Sequence, residues 1–435
     1  MGFNVFQLLY ALFALLFFAI MGFTSKDKNR QYLQFVLLAF PFMSITVNIN
    51  LIEIAVFDFI TFSFLILFYT PKASSLKLNG TYYNFFLLLC LVIVCGILFA
   101  ESLTIETLCM GIKFASTTIF AKLLIDECNH EAGFFYTIID CLKITLVTSF
   151  VFLGLQFVFG SDFTFEKTTN MNVISTVVGD AVDRLPSFFQ DPQNYAQFVA
   201  ATSFLLLINR NLTNKMLYFN YSLLVLSILA LLFSGGRAAF GGWVAGVAII
   251  ALLGKAQIRY AIFFTILSIV VLAYNFGDSF ALLNRNSDIS EAYDVRYAIW
   301  TDAFGIFLDH PFFGIGLGNY SNYVSIHNPD QFFESPTEIF YFDFPESGYL
   351  KLLTEFGAIG FISVFAFVVI PVYKGFHLFF KNKDMNLILL IAAIASWLVG
   401  FYTVYSLADL RIRLLIMTII ILLIDRYKRG IVNDY

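Results

Sequence analysis

Arg237 follows Ser234-Gly235-Gly236 and opens an apolar run, so its guanidinium stands at a glycine-flanked helix start. There the planar fork of donors, the helix dipole and the first free backbone N–H groups combine into a ligand for phosphate. The plainer reading is an arginine that snorkels at the end of a membrane span, with Gly241, Gly242 and Gly246 serving helix packing. Arg296, within EAYDVRYAIW (291–300), is either a second anion ligand or the ion-pair partner of Asp294 or Glu291. Glu346, in FPESGYL (344–350), sits where a long polar connection turns back into an apolar run. A carboxylate partly desolvated there suits general-base work, and one in the first turn of a helix is simply held by the dipole; both readings stand. The segment RLPSFFQDPQNYAQ (184–197) offers Arg184, Gln190 and Asn194 as a polar wall for substrate, or else a plain helix start with Asp191 as N-cap and Pro192 at the first helical position. His327 is a further substrate-binding candidate, ranked lower because His327-Asn328 lies in a polar stretch.

Other chemistries find little support. The four histidines and five cysteines are scattered, without HExxH, HxxxH or CxxC spacing, so neither a metal cage nor a disulfide framework is expected and no cofactor is called for. The net charge of −4 gives no reason to expect a nucleic-acid partner.

The elements that must position these residues are membrane helices. The 435 residues are 59% hydrophobic and 13% charged, about half the charge of a soluble domain, with 55 Phe and 22 Tyr. Mean hydropathy is +0.81, which excludes an ordinary soluble protein. Apolar runs near 3–23, 32–49, 51–70, 82–100, 104–124, 134–159, 193–209, 216–233, 237–253, 258–275, 349–373, 387–405 and 409–425 predict an all-α polytopic integral membrane protein of about 12–13 transmembrane helices. The first run lacks a basic flank and a small-x-small cleavage site, so it is expected to stay as a span. Taking connections alternately, sixteen Lys and Arg fall on one set and seven on the other, although the second set holds both long connections, 161–192 and 276–348. The positive-inside rule then turns both long loops outward and the C-terminus inward. Within the larger loop Tyr293, Tyr297, Trp300, Phe304 and Phe307 recur at three or four residues, the stripe of an interfacial helix lying on lipid. Four segments result: an N-terminal bundle (1–160), spans with the first outer loop (161–275), the large extracytoplasmic loop (276–348) and the C-terminal spans (349–435). Lys113, Lys143, Asp58 and Asp140, in or near nominal spans, are expected to be paired or to face a cavity.

Four segments in order resemble the O-antigen polymerase and O-antigen ligase superfamily: 184–196, 234–240, 296–300 with HPFFGIGLGN (310–319), and 346–350 with EFGAIG (355–360). The resemblance implies a glycosyltransferase of the bacterial cytoplasmic membrane, working on its outer face with undecaprenyl-diphosphate-linked oligosaccharides as donor and acceptor. It also implies a chain-length regulator protein as a candidate partner, alongside the lipid bilayer itself. Arg237, Arg296 and Glu346 would then be catalytic, and Arg184, Gln190, Asn194 and His327 substrate-binding. Two departures matter. Glu346-Ser347 stands where the ligases carry His-Asn, which favours a polymerase of repeat units, and Gln193 separates Pro192 from Asn194, which blurs the role of Asn194. A ligase that transfers finished glycan shares the site, and a flippase for lipid-linked sugars is the alternative from another class. The near absence of charge at mid-span speaks against the flippase.

Overall fold

The computed structural model describes residues 12–49, 52–70, 81–100, 104–160, 163, 184–208, 214–277, 280–283, 289–327, 332–334, 339–341 and 345–433, apart from 13, 14, 17, 21 and 25. More than half of the expected first span and most of the first long connection lie outside these residues. The helices are α1 (Lys28–Leu38), α2 (Phe40–Met43), α3 (Val56–Leu67), α4 (Thr81–Leu98), α5 (Ile105–His130), α6 (Phe134–Phe159), α7 (Pro192–Ser203) and α8 (Asn214–Ser234). They continue as α9 (Arg237–Leu253), α10 (Ala256–Phe276), α11 (Ile289–Asp309), α12 (Tyr320–His327), α13 (Gly348–Asn382), α14 (Met385–Phe401) and α15 (Leu410–Asn433). Stretches within α5, α6 and α13 are long and apolar enough to cross a membrane, and α3, α4, α8, α9 and α14 carry shorter apolar stretches. Leu67, Val158, Leu252, Phe264 and Ile362 are largely exposed, as side chains are that face lipid rather than water. The chain is an all-α polytopic membrane protein.

Two of the expected spans are broken. Instead of uninterrupted helices at 32–49 and 51–70, an antiparallel hairpin of β1 (Thr46–Ile49) and β2 (Ile52–Ala55) separates α2 from α3. Its sequence alternates apolar and polar residues and is rich in Thr, Val and Ile, a two-residue period that summed hydropathy does not register. Asp58 closes the start of α3, accepting from the Ala55 amide at 3.2 Å and from the Ser116 hydroxyl on α5. Lys143 donates to the Ile208 carbonyl at 2.6 Å and lies 3.8 Å from Asp140, so these in-span charges are partnered, as expected.

The bundle has two chemically different ends. At the basic end, Asn29 donates to the Thr70 carbonyl at 2.7 Å, Arg30 pairs with Glu131 at 2.7 Å, and Arg426 pairs with Asp384. At the loop end, the Leu282 amide meets the Leu232 carbonyl at 3.0 Å, Leu317 meets Gly96 at 2.9 Å, and the Tyr349 hydroxyl meets Leu398 at 2.6 Å. Each end gathers the connections that alternate along the chain.

Between the ends, α9 lies directly on α14. A Cβ at Gly242 would fall 2.1 Å from the Ser396 carbonyl oxygen, so only glycine allows this backbone approach. The element that fixes the long loop is α13, which is interrupted at Gly357 (φ 61°, ψ −170°). The interruption frees four backbone groups, and all are taken up by 311–316. Thr354 and Glu355 accept from the amides of Ile315 and Gly316 at 2.9 and 3.0 Å. Ala358 and Ile359 donate to Pro311 and Phe312 at 2.8 and 3.3 Å. The loop therefore bridges the break in the helix through backbone hydrogen bonds.

Candidate active site

A helix forms where the aromatic spacing predicts one, as α11, but its packing face is aliphatic. Ile299, Ala303 and Ile306 are buried with Ile315, Tyr320 and Val324, while Tyr297 and Phe304 point outward. That arrangement leaves an aromatic face available to lipid and sets Arg296 toward the start of α13. Arg296 Nε donates to Glu346 Oε2 at 2.6 Å, with the side chains 33% and 38% exposed. The pair is therefore open enough to be reached by a substrate. Ser347, not Glu346, is the N-cap of α13, and the first helical turn holds no acidic residue. Glu346 lies outside the helix in a left-handed conformation, φ 43°. Dipole capping therefore does not account for it. The side chains of Glu291 and Asp294 lie outside the described ones.

A second layer comes from 184–197. Asp191 is the N-cap of α7, accepting from the Gln193 amide at 2.9 Å, with Pro192 in the first turn. Burial pushes its carboxyl above its ordinary value; the Gln193 amide and Arg184 pull it down, and Asp409 and Glu346 are near enough to push it up again. Asn194 Oδ1 is buried and has no hydrogen-bond partner among the described residues. Arg184 is itself buried and donates from Nε to the Ser234 carbonyl at 3.0 Å, which fixes the turn leading to Arg237. Arg237 begins α9, exposed at its N-terminus beyond Gly236. Gln190 is exposed beside Asp191.

The candidates thus divide. Arg296 and Glu346 are in direct contact, Arg184 and Asp191 belong to the same electrostatic neighbourhood, and Arg237 starts from the turn that Arg184 holds. His327 is tied instead to Tyr323, stacked at 4.1 Å with Nδ1 3.1 Å from the Tyr323 carbonyl oxygen at the end of α12.

Residues that the sequence reading did not single out complete the floor. Arg411 grips Asp409 with Nε and Nη2 at 3.0 and 2.7 Å, donates from Nη1 to the Phe188 carbonyl at 2.6 Å, and lies 4.4 Å from the Phe189 ring centroid. Lys351 and Glu355 form an ion pair at 3.1 Å, 8% and 1% exposed, one and two turns into α13. Lys351 also faces the Tyr320 and Tyr405 rings at 5.2 and 5.6 Å. Gln197, 2% exposed and one turn beyond Asn194, has neither amide atom hydrogen-bonded among the described residues. Arg411 carried a usable signal, positive charge on the set of connections poor in it; the burial of Gln197 and Lys351 had none.

Chemically, the described residues of the loop end include the guanidinium groups of Arg184, Arg237, Arg296 and Arg411 and the carboxylates of Asp191, Glu346, Glu355 and Asp409 among aromatic rings. Such a site can bind a multiply charged anion while keeping a carboxylate beside it. No curated protein matches the chain. Residues 222–365, which include Arg237, Arg296 and Glu346, match the family model described as O-antigen ligase. Over that third of its length, therefore, the resemblance of the chain to the O-antigen polymerase and ligase superfamily is shown.

Proposed function

We propose that the protein polymerises undecaprenyl-diphosphate-linked oligosaccharide repeat units on the outer face of the bacterial cytoplasmic membrane. The observation that carries this reading is the Arg296–Glu346 pair, an anion ligand and a carboxylate in contact at 2.6 Å, within the segment that matches the family. In the reaction, the anomeric carbon of the growing glycan loses its bond to the diphosphate oxygen and gains one to a hydroxyl of the incoming unit. The hydroxyl proton passes to Glu346, and undecaprenyl diphosphate leaves with the bonding pair. Arg296 and Arg237 take up the developing negative charge, a kind of stabilisation whose removal costs about 10²–10³ in rate. A diphosphate competes with Glu346 for Arg296, so donor binding itself frees the carboxylate to meet the acceptor. The four segments, 1–160, 161–275, 276–348 and 349–435, act together, the last three supplying site residues and the first supporting them.

Glu346-Ser347, in place of the ligases' His-Asn, supports polymerase over ligase. The test is gene deletion in the host with complementation by wild type, Arg237→Ala and Arg296→Ala. The expected result is loss of the long-chain glycan ladder with single lipid-linked units remaining, restored by wild type alone. Normal polymer from both variants at wild-type membrane levels would defeat the assignment. Full-length polymer stranded on its lipid carrier after deletion would make the protein a ligase.

A further inference from the structure

Arg296 and Trp300 are four residues apart on α11 and so share a face. Trp300 meets Tyr402, the C-cap residue of α14, edge to face with ring centroids 5.4 Å apart, and Tyr349 backs Tyr402 at 6.3 Å. Tyr349 is itself fixed by its hydroxyl on Leu398 and by the Phe401 ring at 5.3 Å. Tyr402, by contrast, is 53% exposed. The ordinary account of Trp and Tyr at a membrane boundary is an interfacial belt, in which the indole N–H lies in the wet headgroup layer. Trp300 departs from it: its Nε1 is buried and has no hydrogen-bond partner among the described residues. An indole with its donor turned inward does not sit as a headgroup anchor does; it braces the exposed Tyr402 ring on the face of α11 that carries the half-open charge pair.

We infer that Trp300 and Tyr402 form a sugar platform that holds the pyranose next to the diphosphate bound at Arg296. The C–H face of a pyranose lies flat on an aromatic ring, and Tyr402 presents such a ring at the surface, with Trp300 set edge to face against it. The platform rests on the proposed function for the identity of the attached diphosphate, but not for sugar binding as such. Its role is specificity: it recognises a sugar ring, whereas the arginine recognises the phosphate.

The test uses the full-length protein in lipid nanodiscs and two probes: the repeat-unit oligosaccharide released from the host's own polymer, and sugar-free undecaprenyl diphosphate. Trp300→Leu and Tyr402→Leu should each weaken oligosaccharide binding about tenfold, and Trp300→Phe about threefold, because it keeps a ring but a smaller one against Tyr402. Binding of the sugar-free carrier should stay within about twofold, and Arg296→Ala should give the opposite pattern. Oligosaccharide affinity unchanged in Trp300→Leu and Tyr402→Leu, or absent in the wild type, would overturn the platform, as would equal loss for both probes. Ring-dependent sugar binding by a wild-type protein that makes no polymer from lipid-linked units would leave the platform standing and remove the polymerase reading.

Discussion

Glu346 holds φ at 43° while its carboxylate is engaged by Arg296, so backbone and side chain are both committed at one residue. A left-handed conformation costs a non-glycine residue about 1–2 kcal/mol, and a pair exposed by a third on each side returns at most about 1 kcal/mol. Strain of that kind, kept where stability gains little, fits a residue retained for its chemistry. The prediction is an inverted order of substitutions. Glu346→Gly should melt at or above Glu346→Ala, by up to about 1 kcal/mol, because the relief of strain outweighs the greater freedom of glycine in the unfolded chain. Neither variant should polymerise. Thermal unfolding of the purified full-length protein decides it; alanine more stable than glycine would mean that the left-handed turn is not held. Arg237, Arg296 and Glu346 stand out as candidates because their types and their places at span boundaries are written in the chain. Gln197 and Lys351 do not, since nothing in a sequence states which polar side chain ends buried against Gly400 or between two tyrosine rings.

Among the elements, hydropathy disclosed the long apolar helices but not their interruptions. Gly357 lies in EFGAIGF (355–361), a stretch that reads as an unbroken span, and its break becomes visible only with the 311–316 loop that fills it. The β1–β2 hairpin escaped for the complementary reason: two four-residue strands with a two-residue period lie inside two apolar runs. Gly357 carries a firm consequence. Its φ is 61°, and a Cβ there would lie 2.4 Å from the Phe312 carbonyl carbon. Gly357→Ala must therefore dislodge the loop, and with it the anchoring of α11 that aims Arg296 at Glu346. We predict loss of polymer, together with rapid proteolytic nicking between 310 and 320, in a variant whose arginine and carboxylate are intact. Gly305→Ala on α11, where a Cβ meets nothing within 4 Å, is the control and should be neutral or stabilising by about 0.5–1 kcal/mol. Equal behaviour of the two variants would show that the broken helix does not position the site.

For the molecule as a whole, the argument turns on which end faces out. Arg30, Arg426 and Arg429 gather at one end with Glu131, Asp384 and Asp425, and the site arginines at the other with the long loop. Basic residues near short loops are retained on the cytoplasmic side, while long loops cross largely regardless of their charge. The loop end, with its cost of buried and boundary arginines, is thus the end expected outside, where the proposed function has a lipid-linked glycan met after it has crossed the membrane. In a cysteine-free background, Ser325→Cys on α12 and Lys381→Cys at the end of α13 both present exposed positions. A membrane-impermeant maleimide applied to intact cells should label the first and spare the second, and permeabilised cells should label both. The reverse pattern would leave the geometry of the site unchanged but place it on the cytoplasmic face. Polymerisation outside the membrane would then be untenable, and the same arginines and aromatic platform would have to act on lipid-linked sugars before they cross.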